Sequence, residues 1–459
     1  MRNPMFVYDE QLTDLVLDYC RWRLALDPVP LDYGGARESF DTLLEGLLGP
    51  GGNDPRQVME VFNQLAESVI SCDSPRFLSF IPAAPTKAAL LFDMVVSCSS
   101  LQGTSWLEAA GAVAAENQAL AVLSRLAGLP EGAGGCFVAG GTTGNLSALV
   151  VARDTAAVRQ GRTPHRPRVA IGAEAHSSVA SALHVIGVEP LSVPTDDHRL
   201  TGERLRAALA ADPAAAEDVI GVVATAGTTN AGIIDDLAGV AEVAAERRWW
   251  FHVDAAYGGA GMLAPSVRHR YQGIERADSF IVDPHKWLFA PFDCAALLYR
   301  EPRLAKAVHT QDAAYLEILH TRGPGAEEGD EGPWNPSDYA IHLTRRARGL
   351  PLWFSLAVHG VDAYRDAVET VLATTRRSAE LIQGTPHLTL VREPELSVVL
   401  FRRNGWDRAD YEAWSNRLLT DQTGFVTPTS WEGEPAARLA FLHPDTTVEM
   451  VSEILATMA

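Results

Sequence analysis

Lysine is almost absent from this 459-residue chain. Lys87, Lys286 and Lys306 are the only three, and arginine carries the rest of the 38 basic charges. Surface solubility therefore does not rest on lysine, so each of the three stands out as a candidate for amine chemistry. Codon bias in a GC-rich genome, which also explains the abundant alanine, accounts for the scarcity equally well. Positive charge as a whole is short: 58 acidic residues leave a formal net charge of −20. An acidic surface argues against nucleic acid or an anionic membrane as the main partner, though a few local groups can still bind an anionic cofactor. The five cysteines, Cys20, Cys72, Cys98, Cys136 and Cys294, are scattered, and no pair has metal-ligand spacing. They read as reduced thiols of a cytoplasmic protein with no metal site. No apolar run reaches the roughly 18 residues of a membrane span. The opening MRNPMFVYDE carries acids where a signal peptide needs a basic region. What remains is a composition 47% hydrophobic and 21% charged, that of a soluble protein with a large core and more than one domain.

Apolar positions at helical spacing run through residues 9–75, interrupted by Pro/Gly-rich breaks at Asp27–Gly34 and Leu48–Pro55, and two more helical patterns fill Lys87–Leu129. From Cys136 short apolar runs alternate with helical stretches. Strands are expected at Cys136–Ala139, Arg168–Gly172, Val219–Ala226, Trp249–Val253 and Ser279–Val282. Helices are expected at Asn145–Gln160, Ser177–Ile186 and Leu237–Arg247. Such alternation indicates a mainly parallel sheet covered on both faces, an α/β fold. Residues 309–339 are Gly-, Pro- and acid-rich at their centre, the pattern of a lid or a disordered loop. A long helix, Pro351–Ile382, then leads to strands at Leu388–Val391, Ser397–Phe401 and Arg438–His443, with a helix at Arg408–Thr420 and another at the end, as in a smaller α+β unit.

The constellation with most chemical content is His252-Val253-Asp254-Ala255-Ala256-Tyr257 followed by Asp283-Pro284-His285-Lys286-Trp287. Both follow expected buried strands, and in open α/β sheets ligands bind at the carboxyl ends of strands. Pyridoxal 5′-phosphate (PLP) needs these two groups: a lysine for the Schiff base and a carboxylate that keeps the pyridine nitrogen protonated. Either residue alone is as consistent with a loop-capping aspartate or a snorkelling lysine. Three further strand-end loops change that balance. Gly140-Gly141-Thr142-Thr143-Gly144-Asn145 opens a helix whose free N–H groups and hydroxyls suit an anion, although its spacing fits neither a P-loop nor a dinucleotide fingerprint. Glu174-Ala175-His176-Ser177-Ser178 offers an imidazole that can stack on a planar cofactor or cap a helix. Gly227-Thr228-Thr229-Asn230 adds hydroxyls.

In this order the elements closely resemble the group II PLP-dependent amino-acid decarboxylases of fold type I, whose best-known members are the aromatic-L-amino-acid decarboxylases. The likeness runs from Ser74-Pro75-Arg76-Phe77 to Trp353. The resemblance implies a large domain with a mainly parallel seven-stranded sheet at 76–345, an N-terminal helical dimerisation arm at 1–75, a small C-terminal domain at 346–459 and a mobile catalytic loop at about 312–340. It implies Lys286 as the Schiff-base lysine, Asp254 as the pyridinium partner, His176 stacking on the ring and Ala256 on its other face. Thr142, Thr143 and His285 would contact phosphate, and Thr229 the ring oxygen or the substrate carboxylate. Tyr339 would be the proton donor at Cα, at a shorter spacing from Arg345-Arg346 than in the animal enzymes. Phe80, Ile81, Gln102, Thr104 and Trp106 would line the substrate pocket, and Ile81, Gln102 and Thr104 make it more polar than in aromatic-selective members. Asp283 stands where an asparagine is common, and its expected role is to orient His285 or a water. The implied reaction on an L-amino acid is Cα decarboxylation through a quinonoid to an amine and CO2, in a homodimer with active sites at the subunit boundary. Decarboxylation coupled to oxidative deamination, giving an aldehyde, or β-elimination from a cysteine conjugate in bacterial secondary metabolism are the alternatives.

Overall fold

The computed structural model describes residues 3–35, 37–81, 84–320 and 333–459. Seven strands form one sheet: β1 (Gly134–Val138), β2 (Arg168–Gly172), β3 (Glu189–Val193), β4 (Val219–Thr225), β5 (Trp250–Asp254), β6 (Ser279–Val282) and β7 (Ala295–Tyr299). Their spatial order is β1-β7-β6-β5-β4-β2-β3, with β7 antiparallel to both neighbours and every other pairing parallel. All seven residues of β4 are buried, as in a strand covered on both faces by crossover helices. The expected α/β fold with a mainly parallel seven-stranded sheet is thus observed, with a second, four-stranded antiparallel sheet in the C-terminal part. That sheet runs β10-β11-β9-β8, where β8 is Leu388–Leu390, β9 Val398–Arg403, β10 Pro428–Trp431 and β11 Glu434–Ala440.

Four departures from the expected elements have local causes. β3 alternates exposed and buried residues at the sheet edge and contains Pro190, which an edge strand tolerates, so it lacks the apolar run of its neighbours. β7 is a short continuous apolar run that comes directly after the Lys286 loop without an intervening helix. The helix Leu350–Gln383 is broken at Gly360, whose φ of 78° only glycine adopts freely, so it is two helices end to end. The last expected strand lies earlier, at Glu434–Ala440, and pairs with β10, which the sequence pattern did not reveal.

The N-terminal helices Glu10–Ala25, Arg37–Leu44 and Pro55–Ala66 contain no fully buried residue. Their apolar stripes, including Trp22 and Phe62, stay exposed in the single chain. Of the expected mobile loop, residues 321–332 lie outside the described residues. The flanking segments form short 3-10 turns at Ala314–His320 and Pro336–Asp338.

Candidate active site

The carboxyl ends of β1, β2, β4, β5 and β6 open on one cavity of about 240 Å³, and the loops after them line it. From β1 come Gly140, Gly141 and Thr142; from β2, Glu174 and His176; from β4, Thr228 and Thr229; from β5, Asp254 and Ala256; from β6, Asp283, His285 and Lys286. Parallel strands with similar registers end at one level, so residues far apart in sequence converge there.

Asp254, at the last position of β5, is buried, and both of its oxygens receive donors. Asn145 Nδ2 reaches Oδ2 at 2.9 Å and Ala256 N reaches Oδ1 at 3.1 Å. Lys286 Nζ lies 2.9 Å from Asp283 Oδ2. The same oxygen accepts from Gly141 N at 3.1 Å and faces His285 Nε2 at 3.5 Å. His285 Nδ1 accepts from Cys294 N, which leaves the hydrogen on Nε2, toward Asp283. Burial by itself raises the Asp283 carboxyl, but Lys286 and His285 overcome it and hold the group below its ordinary range. Asp283 therefore engages Lys286 and the Gly141 backbone as well as His285. Its Oδ1 is buried with no hydrogen-bond partner.

The helix Gly141–Gln160 begins at Gly140, which has no capping side chain; Asp283 takes Gly141 N, and the next first-turn N–H groups are left for an anion. A Cβ on Gly141 would lie 3.0 Å from Asp283 Oδ2 and 3.2 Å from the Ala256 Cβ, so this turn approaches β5 and β6 more closely than a larger residue allows. His176 both caps the helix Ser177–Val185, accepting from Ser178 N at 3.2 Å, and lines the cavity. The capping and cofactor-facing readings of this histidine are compatible.

Not every expected site residue lies in the cavity. Thr143 is one residue further into its helix and is not part of the lining. Tyr339 is buried, stacked on Trp334 at 4.3 Å, and its carbonyl accepts from Tyr299 Oη; it too is outside the lining. Phe80 and Ile81 sit beside the small sheet, where Arg438 Nη2 donates to both Phe80 O and Thr229 O at 2.7 and 2.6 Å. Gln102 donates to Glu108 at 2.7 Å, Thr104 is buried against Ser337 N, and Trp106 is exposed at the start of the helix Trp106–Ala127. Within one chain these five do not reach the Lys286 cavity. Conversely, sequence reading gave no role to Asn145, Glu174 or Ser178, which do line it. Asn145 carried a usable signal: it is a polar residue on the buried stripe it shares with Ala148, Leu149 and Ala152. Glu174 is held by His198 Nδ1 at 2.9 Å.

The fold and the lining define a PLP-dependent enzyme of fold type I. An amine, a carboxylate at the end of the adjacent strand, an imidazole and a helix N-terminus in one cavity are the groups this cofactor requires. The pyridoxal-dependent decarboxylase conserved domain matches residues 52–404, and the chain belongs to that family as a PLP-dependent amino-acid decarboxylase. It is 31% identical to an L-2,4-diaminobutyrate decarboxylase of Rhizobium meliloti (strain 1021), covering 99% of this chain and 90% of that one. It is 28% identical to an aromatic-L-amino-acid decarboxylase of Bacillus atrophaeus, covering 97% and 92%. Among solved structures, Oryza sativa TDC with PLP and tryptamine superposes with a TM-score of 0.89 at 25% identity, over 100% of this chain and 99% of that one.

Proposed function

We propose that this enzyme removes the α-carboxylate of an L-amino acid, releasing CO2 and an amine, with Lys286 supplying the amine that holds the cofactor. Bound PLP supplies a pyridinium ring that accepts the electron pair left on Cα when CO2 departs. Asp254 would pair with the pyridine nitrogen, and His176 and Ala256 would hold the ring between them. Thr142, His285 and the first-turn N–H groups after Gly141 would hold the phosphate. Asp283 keeps Lys286 at the cavity through their 2.9 Å contact. Thr229 would lie beside the ring oxygen or the substrate carboxylate. The observation that carries this reading is the convergence of Lys286 and Asp254 from β6 and β5 on one cavity.

The same reading includes a homodimer whose active sites lie at the subunit boundary, with residues 1–75 as the dimerisation arm, 76–345 as the PLP-binding domain and 346–459 as the small domain. The exposed Trp22 and Phe62 of the N-terminal helices, and the separation of Phe80, Ile81, Gln102, Thr104 and Trp106 from the cavity of their own chain, support it. Five free cysteines fit the reducing cytoplasm. Because Tyr339 lies outside the cavity, proton return to Cα within one chain has no tyrosine at hand from that position. Aldehyde formation with O2, and β-elimination, therefore stay as alternative outcomes.

Purified enzyme offered a panel of amino acids and cysteine conjugates, with and without O2, separates them. The expected product is an amine with one CO2 per turnover. Hydrogen peroxide and ammonia would overturn simple decarboxylation. Lys286→Ala is expected to lose the visible absorbance band of the bound cofactor and at least about 10³-fold in kcat, a factor worth about 4 kcal/mol of barrier.

A further inference from the structure

Behind the cavity a buried chain of hydrogen bonds runs from β5 and β6 to two of the groups that face it. Trp250 Nε1 donates to Ser279 Oγ at 2.8 Å, and the same oxygen lies 2.8 Å from His252 Nδ1. On its other side His252 Nε2 is 2.8 Å from Asn145 Oδ1. Asn145 Nδ2 then reaches Asp254 Oδ2 at 2.9 Å and Ser178 Oγ at 3.1 Å. Ser178 Oγ is 2.8 Å from His176 Nδ1. His252 is 0% exposed and Asn145 1%.

The donors and acceptors along this chain follow from chemistry. Burial pushes His252 down to about 4 against the pull of Asp254, so the ring is neutral and carries one hydrogen. An amide oxygen only accepts, and the reversed amide would set that oxygen against the Asp254 carboxylate. Asn145 therefore turns Nδ2 to Asp254 and Oδ1 to His252, whose hydrogen must be on Nε2. His252 Nδ1 then accepts from the Ser279 hydroxyl, whose oxygen in turn accepts from Trp250. The second Nδ2 hydrogen of Asn145 goes to Ser178 Oγ, which frees the Ser178 hydroxyl hydrogen for His176 Nδ1. That nitrogen also accepts from Ser178 N at 3.2 Å, so a neutral His176 carries its hydrogen on Nε2.

We propose that Asn145 and His252 are positioning residues that set both cofactor-facing groups at once. The Asn145 amide holds Asp254 as an acceptor for the pyridine N–H and, through Ser178, fixes the tautomer of His176. His252 locks the orientation of that amide. The inference rests on the reading of Asp254 and His176 as the groups at the ring nitrogen and the ring face. One amide serving two catalytic groups explains a polar residue on the otherwise apolar stripe of its helix.

The test uses holoenzyme carrying PLP labelled with ¹⁵N at the pyridine nitrogen, with wild type, Asn145→Leu, His252→Phe and His252→Gln. The glutamine keeps an N–H near the position of Nε2. Three quantities are read: the ¹⁵N shift, the PLP dissociation constant by titration of the apoenzyme, and kcat against KM. Loss of the charge-assisted hydrogen bond to Asp254 predicts about 10- to 100-fold weaker PLP binding in Asn145→Leu, and loss of the neutral bond that orients its amide about 3- to 10-fold in His252→Phe. The ¹⁵N resonance should move toward the unprotonated position, and kcat should fall more than KM changes. His252→Gln should recover most of the loss. If the first two variants melt like wild type and keep its ¹⁵N shift and PLP affinity, the proposal is overturned and the network is merely structural. If they do not fold, His252→Gln and Ser279→Ala decide it: wild-type shift and affinity in both refute it, and a partial shift in Ser279→Ala with rescue in His252→Gln supports it. Wild type that fails to bind PLP would instead overturn the cofactor reading beneath it.

Discussion

Replacing Arg345 by methionine strands a buried carboxylate. The side chains of Arg345 and Glu116 are 1% and 2% exposed, and Arg345 Nη1 and Nη2 meet the two Glu116 oxygens at 2.7 and 2.8 Å. Gly349 N donates to the same carboxylate at 2.8 Å, and Arg345 Nη1 also donates to Gly103 O at 2.7 Å. The pair thus ties the helix Trp106–Ala127 to the chain around Gly103 and Gly349. Removing one partner of such a pair costs about 3–5 kcal/mol. Glu116 can escape part of that cost by taking up a proton. Neutralising a free glutamate costs about 3.7 kcal/mol at pH 7 but only about 1.6 kcal/mol at pH 5.5. The defect of Arg345→Met relative to wild type is therefore expected near about 3–4 kcal/mol at pH 7 and about 2 kcal/mol smaller at pH 5.5. Glu116→Gln strands a guanidinium, which has no such escape, so its defect should be the same at both values. Urea denaturation of the three proteins at the two pH values measures this. An Arg345→Met defect below about 1 kcal/mol at pH 7, or one that does not shrink on acidification, would refute the reasoning.

Two buried histidines predict acid lability. Burial holds both His252 and His342 near about 4, down from 6.5, with Arg345 adding to the shift at His342. Between those values the unfolded chain binds more protons than the folded one, so stability is lost as pH falls from 6.5 toward 4. At pH 5 each contributes a loss of about 2 kcal/mol, with no contribution above pH 7. Asp235, which burial raises to about 7, regains about 2 kcal/mol over the same fall, so a net loss remains, and a melting temperature that rises from pH 7 to 5 would contradict it. Arg438 joins Phe80 O to Thr229 O, so Arg438→Met should loosen the proposed substrate side of the cavity. KM for the amino acid should then rise about 10-fold while the cofactor band persists, the effect of one lost hydrogen-bond clamp. An unchanged KM in steady-state kinetics would count against it.

Much of the molecule is legible from local pattern. The helices Leu237–Arg247 and Arg408–Thr420 and the strands Arg168–Gly172 and Ser279–Val282 have the boundaries that apolar spacing predicts. PLP chemistry is legible too, because Lys286, Asp254 and His176 sit in short motifs that directly follow strands. β3 and β10 were not, since a half-exposed edge strand lacks a continuous apolar run.

By itself the sequence determined which chemical groups stand at the ends of which strands, and hence the cofactor class, since turn residues and strand propensity act over a few neighbours. Only the tertiary structure decided which of those groups share a space. Asn145 meets Asp254 because β1 and β5 end at one level of the sheet, whereas Tyr339 turns away to stack on Trp334. Such contacts depend on packing between elements distant along the chain, which no local pattern encodes. Lys286, one of three lysines, is marked by sequence, but its ion pair with Asp283 and the hydrogen-bonded support behind Asp254 and His176 exist only once the sheet has formed.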